Sequence, residues 1–340
     1  MKTTLHIKGR NLWILCTLVV LGIALSCCYT IIVSVNQPAT AVVGSTVNIV
    51  VNVKNSCNSS GTAHFVFGFL APKGWKTSQN AKITWASTKG NGNMVLIPST
   101  TIAPNSNGLS WPAYMKATFG NAGNLIDDVE WVAYQTDAPI NYANGDKITG
   151  TVNITFSNIG ADGNPTLVKL GYVVANDQNG FTFDGNDGDS SPTSEYYNEL
   201  VTSCFQLTGG TGDLVDFCNP QLTTINPPKS LDNDLVTITY NNNVTPTSLA
   251  GSNAVYLCAT ATLSDGSTVN VCGQTAKTML TQTSANSGVY QLTFWPKSFF
   301  GTTAAQTVVS MTYYITDKTG AIQVGYGNTA AAFTYKFKCS

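Results

Sequence analysis

Aromatic side chains that share a strand face with amides and hydroxyls have the clearest capacity for chemistry in this sequence. Because side chains alternate along a strand, Trp295 falls on one face of an apolar-alternating run together with Gln291 and Thr293. By the same phase, Tyr314 points away from its apolar neighbours. A flat ring can stack on the C–H face of a sugar while amides and hydroxyls bond its hydroxyl groups. The pattern predicts carbohydrate binding at Trp295 and Tyr314; alternatively, Trp295 begins a turn at Pro296 and covers the sheet edge.

Three further aromatic residues in the first half of the chain are weaker candidates for the same role. Trp75 ends the segment Pro-Lys-Gly-Trp at residues 72–75. Trp111 and Tyr114 belong to the run from residue 111 to residue 119, where Pro112 near the start marks the one helix signal in this half. We therefore include Trp75, Trp111 and Tyr114 among the candidate carbohydrate-binding residues.

Catalytic motifs are scarce. The sequence holds no G-x-S-x-G, H-E-x-x-H, P-loop or dinucleotide-binding pattern. Beyond residue 26 the only glutamates are Glu130, Glu195 and Glu199. Asp127 and Asp128 cluster with Glu130 and could imitate the carboxylate pair of a glycosidase, but a loop-to-strand junction with solvated acids is the favoured interpretation. We expect no enzyme activity.

The charge balance argues against nucleic acid as a partner. Charged residues make up 10% of the 340 residues, and the only arginine is Arg10. Without the first 26 residues the chain keeps 14 basic and 18 acidic residues, so it lacks a basic footprint for phosphate. His64 is then the single histidine, which excludes paired-histidine metal sites and disfavours a histidine-based triad.

An acidic, amide-rich stretch offers oxygen ligands of the kind that Ca²⁺ prefers. The candidates are Asp177, Asn179, Asp184, Asp187 and Asp189, whose spacing does not fit an EF-hand. Loops rich in Asp, Asn and Gly are also common as plain turns. No other cofactor is expected, and calcium is left open.

The N-terminus has the form of an export signal. A basic start precedes the 14-residue apolar run from Leu12 to Leu25, which is shorter than the roughly 20 residues that a membrane-spanning helix needs. The segment from residue 23 to Cys27 resembles a lipoprotein lipobox, with Ser26 before the cysteine. We predict a signal peptide over residues 1–26 and lipidation of Cys27; Cys28 and an ordinary transmembrane anchor are the alternatives.

Cysteine positions suggest two disulfides, which an exported protein can keep. Cys258 and Cys272 fall on the polar face of a predicted hairpin, nearly opposite each other. Cys218 and Cys339 bracket the C-terminal segment and could join its ends. Metal binding by the cysteines is disfavoured because no C-x-x-C spacing is present.

Period-two alternation of apolar residues runs through almost the whole chain and predicts an all-β fold. The pattern breaks at a glycine-rich stretch, taken as a linker over residues 208–216. About seven short strands in residues 217–340 are typical of an immunoglobulin-like or fibronectin-like β-sandwich, and residues 27–207 predict a larger one.

Three segments resemble a family of uncharacterised surface lipoproteins of Bacteroidota, corresponding to the domain of unknown function DUF4961. They are Phe67–Trp75, Asn124–Trp131 and Gly209–Leu214. Two others, Tyr290–Phe300 and Tyr313–Gly320, resemble starch-binding-type modules of the outer-membrane lipoproteins of polysaccharide-utilisation (Sus-type) systems. The D-x-x-G turn of those modules is present here, whereas a paired-tryptophan platform is not.

These resemblances imply a lipid-anchored, non-catalytic glycan-binding protein of the outer membrane or cell surface. The expected partners are a polysaccharide or oligosaccharide, the membrane through the lipid anchor only, and a TonB-dependent uptake complex. A structural, adhesion or partner-binding lipoprotein without a sugar ligand is the first alternative, and a glycosidase or lyase is the least favoured.

Overall fold

A computed structural model describes residues 28–120, 128–182 and 196–338. The predicted signal peptide and the predicted lipidation site, Cys27, lie outside these ranges. Contacts within the chain divide the described residues into two compact units, one ending at Val215 and the other beginning at Asp216. We call them the first and the second sandwich.

The first sandwich is built almost entirely from strands, in keeping with its alternating apolar pattern. In chain order they are β1 (Cys28–Asn36), β2 (Thr40–Val42), β3 (Val47–Cys57), β4 (Gly61–Ala63), β5 (Phe65–Pro72), β6 (Ala81–Ser87), β7 (Gly90–Leu96), β8 (Val129–Thr136), β9 (Ile140–Tyr142), β10 (Lys147–Phe156), β11 (Thr166–Asn176) and β12 (Asn198–Thr208). A two-residue strand, β13 (Val215–Asp216), follows. The helical segments are a 3₁₀ turn (Lys73–Trp75), α1 (Thr77–Asn80) and α2 (Trp111–Phe119).

One continuous sheet forms both layers of the first sandwich. Its order is β1-β3-β10-β6-β7-β8-β5-β11-β12-β2. The beginning of β7, through Asn93, pairs with β6, whereas its end, from Met94, pairs with β8. A strand that changes partners midway turns a sheet through a corner, which is how a single sheet can fold over its own core.

The core of this unit lies between the two layers. Strand β3 shows the expected alternation, with Val47, Ile49, Val51 and Val53 all buried. All eight residues of β5 are buried, because this central strand is covered on both faces. Phe69 of β5 packs against Phe156 of the opposite layer, with ring centroids 5.8 Å apart.

The second sandwich follows the same plan on a smaller scale. Its strands are β14 (Thr223–Asn226), β15 (Val236–Asn241), β16 (Val255–Leu263), β17 (Thr268–Val271), β18 (Met279–Gln282), β19 (Val289–Phe294), β20 (Val308–Asp317), β21 (Gln323–Val324) and β22 (Phe333–Lys336). They are joined by α3 (Pro296–Phe300) and a 3₁₀ turn (Tyr326–Asn328).

Here too one strand joins the layers. The sheet order is β14-β15-β19-β18-β16-β20-β21, and β17 and β22 add to β16 and β20. Met279 and Leu280 of β18 pair with β16, and the next two residues pair with β19. Tyr313 of β20 reaches the opposite layer, where its hydroxyl lies 2.8 Å from that of Thr223.

The predicted all-β fold with two β-sandwich units is confirmed, and one strand phase is wrong. The alternation predicts Val309 on the same inner face as Met311, yet Val308 is buried and Val309 is exposed. The ladder between β16 and β20 shifts register beside Leu263, which pairs with Val308. An irregularity of this kind inserts one residue and reverses the phase beyond it.

The glycine-rich stretch after β12 belongs to the first sandwich. The backbone N–H groups of Thr211 and Gly212 both donate to the carbonyl of Gly163, at 3.2 and 3.3 Å. Gly210 has a φ of +82°, and a Cβ there would lie 2.3 Å from the same carbonyl oxygen. Glycine is therefore required at this position by a close backbone approach, and the division between the units falls just after it, at Val215.

Candidate functional site

Trp295 lies on the outside of the second sandwich, where β19 ends and α3 begins. Its side chain is 45% exposed, and its indole N–H donates to Oδ1 of Asn233 at 3.2 Å. Its backbone carbonyl accepts the N–H of Phe299 at 2.8 Å, the first bond of α3. Phe299 is buried and packs on Phe294 with ring centroids 4.5 Å apart. The helix is thus anchored in the core and holds the exposed indole in one position.

The strand face that leads to Trp295 carries hydroxyl and amide groups. Thr237 and Thr293 face each other across β15 and β19 with their hydroxyls 2.8 Å apart. The side-chain amide of Gln291 donates to the hydroxyl of Thr239 at 3.1 Å. These four uncharged side chains and Trp295 form what we call the Trp295 face. Each hydroxyl in a pair keeps further hydrogen-bonding capacity for a ligand.

Tyr314 lies in the other layer and does not join the Trp295 face. It sits in β20 opposite Cys258 of β16, is half-buried, and donates its hydroxyl to the carbonyl of Ala330 at 3.1 Å. The two aromatic residues predicted to bind carbohydrate therefore belong to different layers of the second sandwich.

Trp75 and Trp111 cannot act as surface platforms, which corrects the prediction made for them. Trp75 is fully buried, with its ring edge-on to those of Phe156 and Phe205 at 5.9 Å each. Trp111 is 3% exposed and packs edge-on against Phe181. Each tryptophan starts or ends a short helical segment whose apolar side is pressed into the core, a placement that alternation along strands does not reveal.

Tyr114 takes part in the same aromatic cluster as Trp111. Its ring centroid lies 4.7 Å from that of Phe181, and its hydroxyl donates to the carbonyls of Asn105 and Phe181 at 3.3 and 3.4 Å. Burial raises the pKa of the Tyr114 hydroxyl. The hydroxyl is already committed to these backbone acceptors.

Of the five calcium candidates, the structure describes Asp177 and Asn179. Asp177 accepts the backbone N–H of His64 at 2.8 Å, and the carbonyl of Asn179 accepts from Asn105 and Thr182. Asp184, Asp187 and Asp189 lie outside the described residues. Within the described ranges, no three His, Cys, Asp or Glu residues lie close enough to hold a metal ion.

The acidic cluster is placed at the start of β8. Asp128 is exposed, while Glu130 is half-buried in the strand; Asp127 lies outside the described residues. Burial raises the pKa of Glu130, and the positive charge of Lys73 partly opposes this. The carbonyl of Asp128 accepts the backbone N–H of Lys73 at 2.8 Å, so the junction is tied to the end of β5.

Cys258 and Cys272 form the cross-strand disulfide of the β16–β17 hairpin, with a Cα–Cα distance of 4.0 Å. Cys57, Cys204 and Cys218 are also disulfide-bonded. Because Cys339 lies outside the described residues, its pairing with Cys218 stays a prediction.

A pocket that the sequence analysis did not predict opens between the two layers of the first sandwich. The volume in it that is open to a water-sized sphere is about 60 Å³, and the pocket is partly open to solvent. The β4–β9 ribbon lies at its rim. Its walls are mainly apolar and aromatic, and are formed by Val53, Ala63, Phe65, Trp85, Ile140, Ile148 and Val152.

Glycine at position 150 contributes to this space. Gly150 pairs with Val53 on one side and Ser87 on the other, in the middle of one wall. A Cβ at this position would lie 2.7 Å from the carbonyl oxygen of Ala86, so the strands approach too closely there for a side chain.

His64 brings the one imidazole of the described chain to this pocket. Its Nδ1 lies 2.7 Å from the carbonyl oxygen of Thr136. A carbonyl can only accept, so Nδ1 must carry the hydrogen, and in the neutral ring Nε2 is left with a lone pair. Nε2 has no hydrogen-bond partner among the described residues. The sequence signal was the lone histidine itself, which in the sequence spoke only against paired-histidine metal sites and a histidine-based triad.

Asn176 supplies the complementary polar group. Its Oδ1 accepts the backbone N–H groups of Gln178 and Asn179 at 3.0 and 2.8 Å, which fixes the orientation of the amide. Its Nδ2 is a donor without an acceptor among the residues that the structure describes. Asn176, at the end of β11, pairs with Phe65, the first residue of β5, and His64 is the residue just before that strand.

The helices of the described ranges are all too short, or too polar, to cross a bilayer.

Comparison with known proteins identifies two domain families along the chain. Residues 30–221 match DUF4961 and residues 223–324 match DUF8578, both described as domains of unknown function. No curated protein matches.

The similar solved structures align over much of this chain but with low TM-scores. AvmM, described as catalysing macrocyclization in alchivemycin A biosynthesis, is 10% identical over 55% of this chain and 90% of its own, with a TM-score of 0.28. The C-terminal domain of the antigen I/II-family protein AspA of Streptococcus pyogenes is 12% identical over 93% and 100%, with a TM-score of 0.27. The group B streptococcus pilus 2b backbone protein is 12% identical over 89% and 88%, with a TM-score of 0.23. Scores this low carry no argument about function.

The resemblance noted in the sequence to DUF4961 is therefore confirmed. Because the match over residues 30–221 covers more than half of the chain, this protein belongs to the DUF4961 family.

Proposed function

We propose that the protein is a non-catalytic glycan-binding protein that uses the Trp295 face to hold a neutral polysaccharide. The observation that carries the proposal is the exposed, anchored indole of Trp295 at the end of a strand face of hydroxyl and amide side chains. An aromatic ring that is fixed before binding loses little conformational entropy when a sugar stacks on it.

The chemistry of the Trp295 face favours an uncharged ligand. Thr237, Thr239, Gln291 and Thr293 can exchange hydrogen bonds with sugar hydroxyls but offer no counter-charge. A charged polymer would bring carboxylate or sulfate groups that this face cannot neutralise. The indole N–H already donates to Asn233, so the ring would contribute through its face.

The setting of this function is part of the proposal. The export signal over residues 1–26 and the lipobox-like segment ending at Cys27 support a lipid anchor at the outer membrane or cell surface. The resemblance of Tyr290–Phe300 and Tyr313–Gly320 to starch-binding-type modules supports a place in a Bacteroidota polysaccharide-utilisation system, delivering glycan to a TonB-dependent complex.

A second candidate function is adhesion to a protein partner. Leu235 is 66% exposed and precedes Val236, which pairs with Phe294, so Leu235 and Trp295 are at adjoining strand ends. Leu231 and Val309 are exposed as well. Exposed apolar side chains close to a tryptophan are also typical of protein-binding surfaces.

Affinity electrophoresis of residues 28–340, which contain every described element, tests the proposal. The chain is run through gels that contain neutral polysaccharides, beside Trp295→Ala and the matched surface variant Leu235→Ser. We expect one polysaccharide to retard the chain, Trp295→Ala to weaken binding about tenfold or more, and Leu235→Ser to bind like the original.

Two results would count against glycan binding. Retardation that survives Trp295→Ala would remove the Trp295 face as the site. Absence of retardation, together with capture of one outer-membrane protein that both variants abolish, would favour the adhesion function instead.

A further inference from the structure

We propose that the pocket of the first sandwich is a binding site for a small neutral ring compound that carries a hydroxyl group. The site is separate from the Trp295 face and does not depend on the function proposed for it. Its elements are the apolar walls, the unpaired Nε2 of His64 and the unpaired Nδ2 of Asn176.

The walls select an apolar, flat body. Trp85 and Phe65 are buried side chains from opposite layers that both line the pocket. Trp85 is held by its indole N–H, which donates to Oδ1 of Asp137 at 3.3 Å. Asp137 is in turn held by the backbone N–H of Asn93 at 2.9 Å. The space in the pocket that is open to a water-sized sphere is about 60 Å³, which leaves room for a few waters or one small ring beside the fixed aromatic wall.

The lack of counter-charge selects a neutral ligand. Among the described residues that line the pocket, His64 is the only one that can carry a charge near neutral pH. A carboxylate or ammonium group inside such walls would lose its hydration without an opposite charge to replace it. Asp137 accepts the indole N–H of Trp85 and Asp177 accepts the backbone N–H of His64, and neither acid lines the pocket.

A hydroxyl group matches both unpaired polar atoms in hydrogen-bonding character. Nε2 of His64 requires a donor because Nδ1 already carries the ring hydrogen. Nδ2 of Asn176 requires an acceptor because Oδ1 of the amide is occupied by two backbone N–H groups. A hydroxyl donates one hydrogen bond and accepts others, so it can donate to Nε2 and accept from Nδ2. Polar groups in an otherwise apolar pocket give a ligand its orientation.

The test uses His64 as its own reporter, because residues 28–340 contain no other histidine. That chain, made without a histidine tag and with ¹⁵N-labelled histidine, is titrated with phenol while the imidazole ¹⁵N resonances are followed. Toluene, which replaces the hydroxyl by a methyl of similar size, and benzoate, which adds a charge, are the matched ligands.

We expect phenol to shift the Nε2 resonance saturably with a dissociation constant of about 1 mM or lower. Toluene should bind at least about tenfold more weakly, because it offers neither a donor to Nε2 of His64 nor an acceptor to Nδ2 of Asn176. Benzoate should produce no saturable shift. Ala63→Leu, which fills the pocket, should abolish the phenol response, and Ala113→Leu, an exposed change in α2 of the same unit, should preserve it.

A measurement on the unaltered chain keeps the proposal testable even if Ala63→Leu fails to fold. Nuclear Overhauser contacts should join the phenol ring to the methyl groups of Ala63 and Val53. No saturable shift up to about 20 mM phenol, or contacts only to methyl groups elsewhere, would overturn the site. Equal affinity for toluene and phenol would overturn the assignment of the hydroxyl.

Discussion

Replacing Trp75 tests whether this tryptophan is a core residue, as the structure has it, or a sugar platform. Its indole is fully buried between Phe156 and Phe205. The indole N–H has no hydrogen-bond partner among the described residues, and neither does the hydroxyl of nearby Thr77. Trp75 therefore stabilises the first sandwich through packing alone, and it does so with one polar group left unsatisfied.

The expected magnitudes follow from this environment. Trp75→Ala removes a fully buried indole and should lower the free energy of unfolding by about 3–5 kcal/mol. Trp75→Phe keeps most of the ring contacts and removes the unsatisfied N–H, whose burial costs about 1–3 kcal/mol. The phenylalanine variant should therefore be at least about 2 kcal/mol more stable than the alanine variant. For a unit of this size, the alanine variant should melt about 6–20 °C lower.

Differential scanning calorimetry of residues 28–340 measures both variants beside Trp295→Ala. Trp75→Ala should lower one transition only, because the change lies within the first sandwich. Trp295→Ala alters an exposed side chain and should change stability by no more than about 1 kcal/mol. If Trp75→Ala left melting unchanged but reduced retardation by a polysaccharide, our placement of Trp75 in the core would be refuted.

Three further predictions concern other groups. Replacing both Cys258 and Cys272 by alanine opens a loop with a sequence separation of 14 and should lower the free energy of unfolding, measured in urea, by about 3 kcal/mol. Because Cys57, Cys204 and Cys218 are disulfide-bonded as well, reductant should destabilise the variant too, but by less than the original chain; an equal loss in both chains on reduction would contradict this. Burial raises the pKa of Glu130 in the folded state, although the positive charge of Lys73 partly opposes this. Ionised Glu130 therefore lowers the stability of the fold. This loss is absent below the ordinary glutamate pKa and is complete once the pH has risen above the folded-state pKa. Glu130→Gln should therefore be more stable to urea than the original at pH 7 and equal to it near pH 3. A larger gain at acid pH would mean that the pKa of Glu130 is lowered on folding and would contradict this prediction. Finally, the neutral imidazole of His64 should carry its hydrogen on Nδ1 in a long-range ¹H–¹⁵N spectrum; the Nε2–H form would contradict the bond to the backbone carbonyl.

Much of the fold was predictable because strand alternation is a local property. The runs around Val47, Tyr290 and Phe333 predicted β3, β19 and β22 with the observed inner faces. The short helix at Trp111 was also predictable from the proline at its second position. Val309 was placed on the wrong face, because the register shift beside Leu263 depends on how β20 pairs with β16 and leaves no trace in the alternation.

The candidate site was predictable only in part. Strand phase placed Trp295 on an outer face, and the structure leaves it 45% exposed. The same reasoning could not separate Trp295 from Tyr314, which lies in the opposite layer, nor recognise that Trp75 and Trp111 are buried by short helical segments. Strand phase states which side of a sheet a residue occupies, whereas exposure depends on what packs against that side.

The sequence alone determined the acidic, arginine-poor composition, the alternation that makes an all-β chain and the basic-then-apolar pattern of residues 1–26, because each depends only on residue types and short-range order. Tertiary structure alone decided which tryptophans are exposed and where the pocket lies. Nδ1 of His64 is bonded to Thr136, 72 residues away, and the walls of the pocket come from strands on two layers. Contacts of this range arise when the sheet folds over on itself, so no local pattern records them.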